Sequence, residues 1–222
     1  MAKHVTKLKN VAGKITIIKA PDADTLKGYM ALKPGFSTKI QSGYLWVYRV
    51  GSDELEKANK GIELAKHATA IENINGRVVT VKAPSQEIIR SYLATKDGFT
   101  AFIKKGYLWV FRNNSKELAK MQEGQELVKH TTTIRNINGR ATTIKSSDKE
   151  TIECYLAAKS GFVIELVDGR IWVFLPDSKE HATVISGGSL AKHVTRLQNI
   201  NGKVQVIKSP TAEILDLYAV LQ

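Results

Sequence analysis

The sequence predicts an α+β fold of tandem ββαββα units. Three observations predict it: markers recurring at one fixed spacing, paired strand-like runs closed by turn glycines, and helix start and stop signals between them. His4, His67, His130 and His193 lie 63 residues apart, and no residue is gained or lost between copies. The repeats span 1–63, 64–126 and 127–189, with a C-terminal half repeat over 190–222. About 60 residues bury a marginal core alone, so neighbouring copies are expected to share sheets or cores in one continuous body. The chain divides equally well into units opening at Gly35, Gly98 and Gly161 after an N-terminal half unit.

Each copy opens with a hairpin around Asn10-Val11-Ala12-Gly13, Asn73-Ile74-Asn75-Gly76, Asn136-Ile137-Asn138-Gly139 or Asn199-Ile200-Asn201-Gly202. Asn-Gly supplies the positive φ of a tight hairpin turn. Strand alternation then assigns faces. Thr6 and Leu8 recur as Thr69 and Ile71, Thr132 and Ile134, and Thr195 and Leu197, so this side is expected to face the core. The intervening Lys7 and Lys9, Ala70 and Glu72, Thr133 and Arg135, and Arg196 and Gln198 are expected in solvent.

A helix follows, with Pro21, Pro84 and Pro210 placed in its first turn and Ser147 in the third copy. Acidic residues (Asp22, Asp24, Glu87, Asp148, Glu150, Glu213) complement the positive end of the helix dipole. Ile88, Ile89, Tyr92 and Leu93 have the spacing of one buried face, and Tyr29, Tyr155 and Tyr218 repeat the aromatic as core residues. A second hairpin runs from Gly35-Phe36 to Arg49, Gly98-Phe99 to Arg112 and Gly161-Phe162 to Leu175, turning at Gly43, Gly106 and Gly169. Ser52, Ser115 and Ser178 then cap a short helix that Gly61, Gly124 and Gly187 end.

The formal charge of +12 and a pI near 9.7 favour an anionic partner, nucleic acid before a membrane surface. The charge is graded along the chain: Lys plus Arg against Asp plus Glu is 11 to 6, 10 to 6, 8 to 7 and 4 to 2 in successive copies. Anion binding is therefore expected in the first two. No apolar run reaches the roughly 20 residues that span a bilayer, and no signal peptide is evident, so a cytoplasmic protein without a membrane partner is expected. The single Cys154 takes the place of Gly28, Ser91 and Leu217, which excludes an intrachain disulfide.

Candidate binding residues cluster on the hairpins. Tyr44, Trp46 and Tyr48 share one strand face, as do Tyr107, Trp109 and Phe111, with Lys39, Arg49, Lys104, Lys105 and Arg112 nearby. Aromatics interleaved with cations on an open sheet can stack on bases and track phosphates; a strand buried on both faces would show the same pattern. Trp172 persists in the third copy while its surroundings become Glu165, Asp168 and Leu175. Lys19, Lys82, Lys145 and Lys208 end the second strand, and Lys14, Arg77, Arg140 and Lys203 follow the turn glycine. Such rows suit regularly spaced phosphates, and equally suit sheet edges kept soluble.

The Lys-His pairs lack a recurring Cys or carboxylate, so no metal or other cofactor is expected, and a histidine hydrogen-bonding at the strand start is the reading taken. No nucleophile, base and orienting acid recur together, and no phosphate loop is present, which predicts a non-enzymatic protein. A catalytic site confined to the third copy would have to involve Asp168, Arg170 or His181 with Glu180.

The run Gly98-Phe99-Thr100-Ala101-Phe102-Ile103-Lys104-Lys105-Gly106-Tyr107-Leu108-Trp109-Val110-Phe111-Arg112-Asn113-Asn114-Ser115-Lys116-Glu117, preceded by the Asn73 to Gly76 turn and a helix, resembles the double-wing DNA-binding domain. That is the C-terminal domain of the MotA-type middle-gene activators of T4-like phages. The likeness is one of element order, turn glycines and strand phase over about 50 residues per copy. It implies a small α+β saddle whose sheet contacts duplex DNA, in a phage-encoded protein of the bacterial cytoplasm. This chain departs in repeating the module and in lacking a recognisable polymerase-binding helical domain, so the resemblance implies duplex binding rather than transcription activation. A repeat-built module that binds a host protein, as inhibitor or scaffold, is the alternative, and it predicts an exposed apolar or mixed patch.

Overall fold

The computed structural model describes the backbone of residues 5–11, 14–74, 77–125, 127, 129–137, 140–200 and 202–220, and the side chains of this set outside 5–16, 73–77 and 136–140. In chain order the elements are β1 (Val5–Val11), β2 (Lys14–Ala20), α1 (Ala23–Met30), β3 (Phe36–Gln41), β4 (Tyr44–Arg49) and α2 (Asp53–Asn59). The second set is β5 (Ala68–Ile74), β6 (Arg77–Ala83), α3 (Gln86–Ala94), β7 (Phe99–Lys104), β8 (Tyr107–Arg112) and α4 (Lys116–Gln122). The third is β9 (Thr131–Ile137), β10 (Arg140–Ser146), α5 (Lys149–Ala157), β11 (Val163–Val167), β12 (Arg170–Phe174) and α6 (Lys179–Ile185). Strands β13 (Val194–Ile200) and β14 (Lys203–Ser209) with α7 (Ala212–Val220) complete the described chain. This is the expected α+β repeat.

The sheets do not respect the repeat boundaries. Their orders are β3-β4-β6-β5, β7-β8-β10-β9 and β11-β12-β14-β13, while β1 and β2 form a two-stranded sheet. Each four-stranded sheet joins the second hairpin of one repeat to the first hairpin of the next through a parallel central pair. The phase opening at Gly35, Gly98 and Gly161 is thus the one the sheets follow.

Local chemistry fixes the turns and helix ends. Ser42-Gly43, Lys105-Gly106 and Asp168-Gly169 all have positive φ, at 51° and 78°, 52° and 79°, and 51° and 69°. Two consecutive positive values are what a two-residue type I′ hairpin needs. The Asn-Gly turns of the first hairpins fall largely outside the described residues. In the last of them, the Gly202 amide donates to Asn199 Oδ1 at 2.8 Å. Ser52, Ser115 and Ser178 cap the short helices as expected, accepting from the amides of Leu55, Leu118 and His181. Gly61, Gly124 and Gly187 end those helices at φ of 76°, 83° and 85°. In the longer helices the cap is Asp22, Ser85 or Asp148, one residue beyond the position assumed for the helix start. Pro21 and Pro84 therefore precede the cap instead of lying in the first turn, because the side-chain oxygen that takes the third helical amide belongs to the next residue.

The chain divides into two compact units, built chiefly from Lys14–Thr95 with Ala101–Gly106, and from Lys96–Thr100 with Tyr107–Gln222. In the first, α3 lies on one sheet face and buries Phe36, Leu45, Val47, Val81, Ala83, Ile89 and Tyr92. The Phe, Leu, Val and Ile side chains among them each contribute about 1.5–3 kcal/mol when fully buried. Tyr92 packs edge-on against Phe36 at 5.7 Å and donates its hydroxyl to Ala31 O at 2.6 Å. Lys33 crosses the same junction, donating to Leu93 O and Thr95 O at 3.3 and 3.0 Å with its ammonium 4.8 Å from the Tyr92 ring. A cation at a helix C-terminus complements its dipole.

The second unit repeats this clasp. Tyr218 packs edge-on against Phe162 and donates to Ala157 O, while Lys159 donates to Tyr218 O at 2.8 Å. Lys96 donates to Tyr155 O at 3.0 Å. Its sheet β11-β12-β14-β13 has a second buried cluster, Trp172, Phe174 and Val184, where α6 covers part of the face opposite α7.

Two expectations are corrected. Ile71, Ile134 and Leu197 are 73%, 64% and 73% exposed, so these three hairpins turn the other way, while the side chains of Thr6 and Leu8 lie outside the described residues. Register explains this: Ala70, Thr133 and Arg196 pair with the buried Val81, Ile144 and Ile207, which places that parity on the helix side. In the first sheet small Ala68 and Ala70 fit beneath α3, where Ile71 would not. Tyr29, expected in the core, is 57% exposed. Its equivalents Tyr92 and Tyr218 donate to carbonyls at the carboxyl ends of α1 and α5, a contact that Tyr29 does not make among the described residues.

Candidate nucleic-acid interface

The sheet face opposite the long helix collects Lys39, Tyr44, Trp46 and Lys82 in the first sheet and Tyr107, Trp109 and Lys145 in the second. In the first sheet, cross-strand register aligns Lys39 with Trp46, Trp46 with Lys82, and Lys82 with Thr69. These four side chains form a row perpendicular to the strands, with Tyr44 two residues from Trp46 on the same face. Lys82 Nζ lies 3.9 Å from the Tyr44 ring centroid and 5.6 Å from that of Trp46. Such contacts hold an ammonium against a π face at the edge of solvent. Lys39 is exposed, and Tyr44 is partly so.

The second sheet repeats the row as Trp109, Lys145 and Thr132. Lys145 Nζ stands 3.9 Å from Tyr107 and 5.4 Å from Trp109. In the third sheet the row is Glu165, Trp172, Lys208 and Thr195, and Lys208 is 5.2 Å from the indole. The first position of the row is thus a cation in the first sheet and a carboxylate in the third, in line with the charge gradient along the sequence.

The tryptophans are structural at their inner edges. Trp109 and Trp172 are buried, and each of the three indoles stacks in parallel on its strand neighbour: Trp46 on Tyr48, Trp109 on Phe111, Trp172 on Phe174. Trp46 is half-buried. The solvent-facing chemistry of these faces is therefore tyrosine and lysine, with indole beneath.

The remaining selected residues lie elsewhere. Lys19 is exposed at the end of β2 on the two-stranded sheet. Lys105 is exposed at the β7-β8 turn, next to half-buried Lys104. The side chains of Lys14, Arg77 and Arg140 lie outside the described residues. Arg49 and Arg112 share strand parity with Leu45 and Leu108 and so belong to the helix side. Arg49 is half-buried over the Phe102 ring at 4.8 Å, and burial lowers its pKa. Arg112 donates to Glu165 Oε2 at 2.9 Å and to Cys154 Sγ at 3.2 Å. Burial would lower its pKa, but Cys154 and Glu165 outweigh that and raise it.

Sequence reasoning missed the part played by the histidines. His67, His130 and His193 are exposed, and each ring packs on a tryptophan at 5.2, 5.2 and 5.3 Å. They rest on indole instead of closing the strand start by a hydrogen bond. The signal was available in parity, since residue 67 shares a face with residues 69 and 71. His181 contacts Glu165 Oε1 at 3.3 Å and the Phe174 ring, and Asp168 sits exposed in a turn. Among the described residues no group of three or more His, Cys, Asp or Glu is placed to hold a metal ion, and no helix is long and apolar enough to cross a membrane.

Comparison with protein-family models, curated proteins and solved structures found no match.

Proposed function

We propose that this chain is a non-enzymatic duplex DNA-binding protein whose open sheet faces contact successive stretches of phosphate backbone. The observation that carries the reading is the cross-strand row, in which Lys82 and Lys145 occupy the same place on two sheets, each against an exposed tyrosine. A net charge of +12, concentrated in the first two repeats, supports it. The resemblance to the double-wing domain points the same way and adds a phage-encoded protein working in a bacterial cytoplasm.

Phosphate-dominated binding weakens with salt at a log–log slope of roughly −0.9 per phosphate neutralised. Anisotropy titrations on a labelled duplex at several salt concentrations are expected to show a steep slope, shallower by about 0.9 for each of Lys82→Ala and Lys145→Ala. Absence of binding at low salt sinks the reading.

A protein-binding scaffold is the second reading, and a specific observation favours it. The same open faces expose Ile71, Val78, Ile134, Leu197 and Val204 at 64–75%. Replacing Ile71 and Leu197 by Ser leaves duplex affinity within about twofold if those residues belong to a separate protein contact, since surface substitutions there shift energies by less than about 0.5 kcal/mol. A tenfold loss would make them part of the duplex contact.

A further inference from the structure

We infer that His67 and His130 are phosphate-binding residues of the open faces and make polyanion binding depend on pH; this rests on the reading above. Each histidine shares an indole with a row lysine. His67 and Lys82 both lie against Trp46, and His130 and Lys145 both lie against Trp109. Strand alternation carries this further: residue 67 has the parity of Thr69, which pairs with Lys82, so imidazole and ammonium project from the same side of the sheet. Both histidines are exposed, and Lys66 and Lys129 beside them are also exposed.

Each ring lies on an indole that also carries a row lysine: His67 and Lys82 on Trp46, which pairs with Lys39 across β3, and His130 and Lys145 on Trp109. A phosphate laid across the row attracts the charged imidazole more strongly than the neutral one. Binding and protonation are then reciprocally linked, each favouring the other. The row beneath His193 differs, because Glu165, held by Arg112 and His181, takes the place beside Trp172 that Lys39 has beside Trp46, and the row has one cation fewer. The third site is therefore the weakest for phosphate.

Imidazole changes charge between pH 5 and 8, so duplex binding by the full chain is measured against salt at about pH 5.5 and about pH 8. The expected slope at the lower pH is steeper by about 0.9 for each histidine that takes up a phosphate, roughly 1.8 for the pair. In His67→Phe/His130→Phe a ring stays on each indole, the fold is checked by thermal unfolding, and the difference between the two pH values disappears. His193→Phe alone leaves the difference nearly intact. Equal slopes for the wild type at both pH values overturn the inference while leaving the DNA-binding reading standing. A pH difference that persists in the folded double variant overturns it too. Failure to bind at low salt at either pH removes the underlying reading itself.

Discussion

Cys154 shows how position, not residue type, decides chemistry. Its thiol is fully buried and its pKa is pushed up to about 12, because burial outweighs the attraction of Arg112. The thiolate is the reactive form, so Cys154 is expected to resist thiol reagents in the native protein and to react fully in denaturant. Rapid native labelling, followed spectrophotometrically, would contradict this. Asp148 gives a second prediction. Burial raises its pKa, but hydrogen bonds from the Thr151 amide and from Ser147 and Thr151 outweigh that and hold it below the ordinary 3.8. A depressed folded value means that the cap stabilises fully above that ordinary pKa and is lost as the pH falls below 3.8 through the folded value. Asp148→Ala is expected to destabilise by about 1 kcal/mol at neutral pH, with the gap from wild type closing in acid. Asp148→Asn retains an acceptor for the amide and should recover most of the loss. Denaturant titrations at the two pH values check both statements.

At the scale of elements, start and stop chemistry was the most legible part of the sequence. Ser52, Ser115 and Ser178, and Gly61, Gly124 and Gly187, act locally, so no distant partner was needed to read them. The faces of the first hairpins were not legible. In β5 either parity offered apolar residues, Ala68 and Ala70 against Ile71, and the choice was made by the parallel pairing of β4 with β6 and the closeness of α3. Both are non-local. The tight side has a consequence: Ala70→Leu is expected to overpack the space beneath α3 and cost about 1–3 kcal/mol, whereas Ile71→Thr on the open side stays within about 0.5 kcal/mol. The opposite ranking in thermal melts would reverse the face assignment. Edge protection also comes from helices: Ser91 Oγ and Thr95 Oγ1 of the α3 segment accept from the β7 amides of Ile103 and Ala101 at 2.8 and 3.0 Å. Such caps leave a strand edge less open to pairing with another chain.

For the whole molecule, periodicity revealed the architecture, and departures from periodicity point to where the binding chemistry differs. Strand alternation puts Tyr44 with Trp46 and Tyr107 with Trp109, whereas the approach of Lys82 and Lys145 to them comes from the parallel pairing of β4 with β6 and β8 with β10, which is non-local. Proximity in sequence misplaced Arg49 and Arg112, which sit on the helix side, because adjacent strand residues point to opposite faces. The exchange of Lys39 for Glu165 between the first and third sheets predicts unequal sheets. Lys82→Ala is expected to weaken duplex binding several-fold more than Lys208→Ala, and equal losses in the same anisotropy assay would argue against a graded surface.

The clasp between successive helices also bears on how such a chain can change length. Tyr92 reaches back to Ala31, Tyr218 to Ala157, and Lys33, Lys96 and Lys159 each reach forward by nearly the same number of residues. Excising residues 64–126 would leave Ala31 and Lys33 facing Tyr155, and would bring Arg49 to the station that Arg112 held opposite Glu165. The joint so created is chemically the one removed. Unequal crossing-over between copies of the gene should therefore yield foldable proteins with fewer or more modules, whereas a deletion that is not a whole number of copies would put the tyrosine after the joint out of step with its carbonyl.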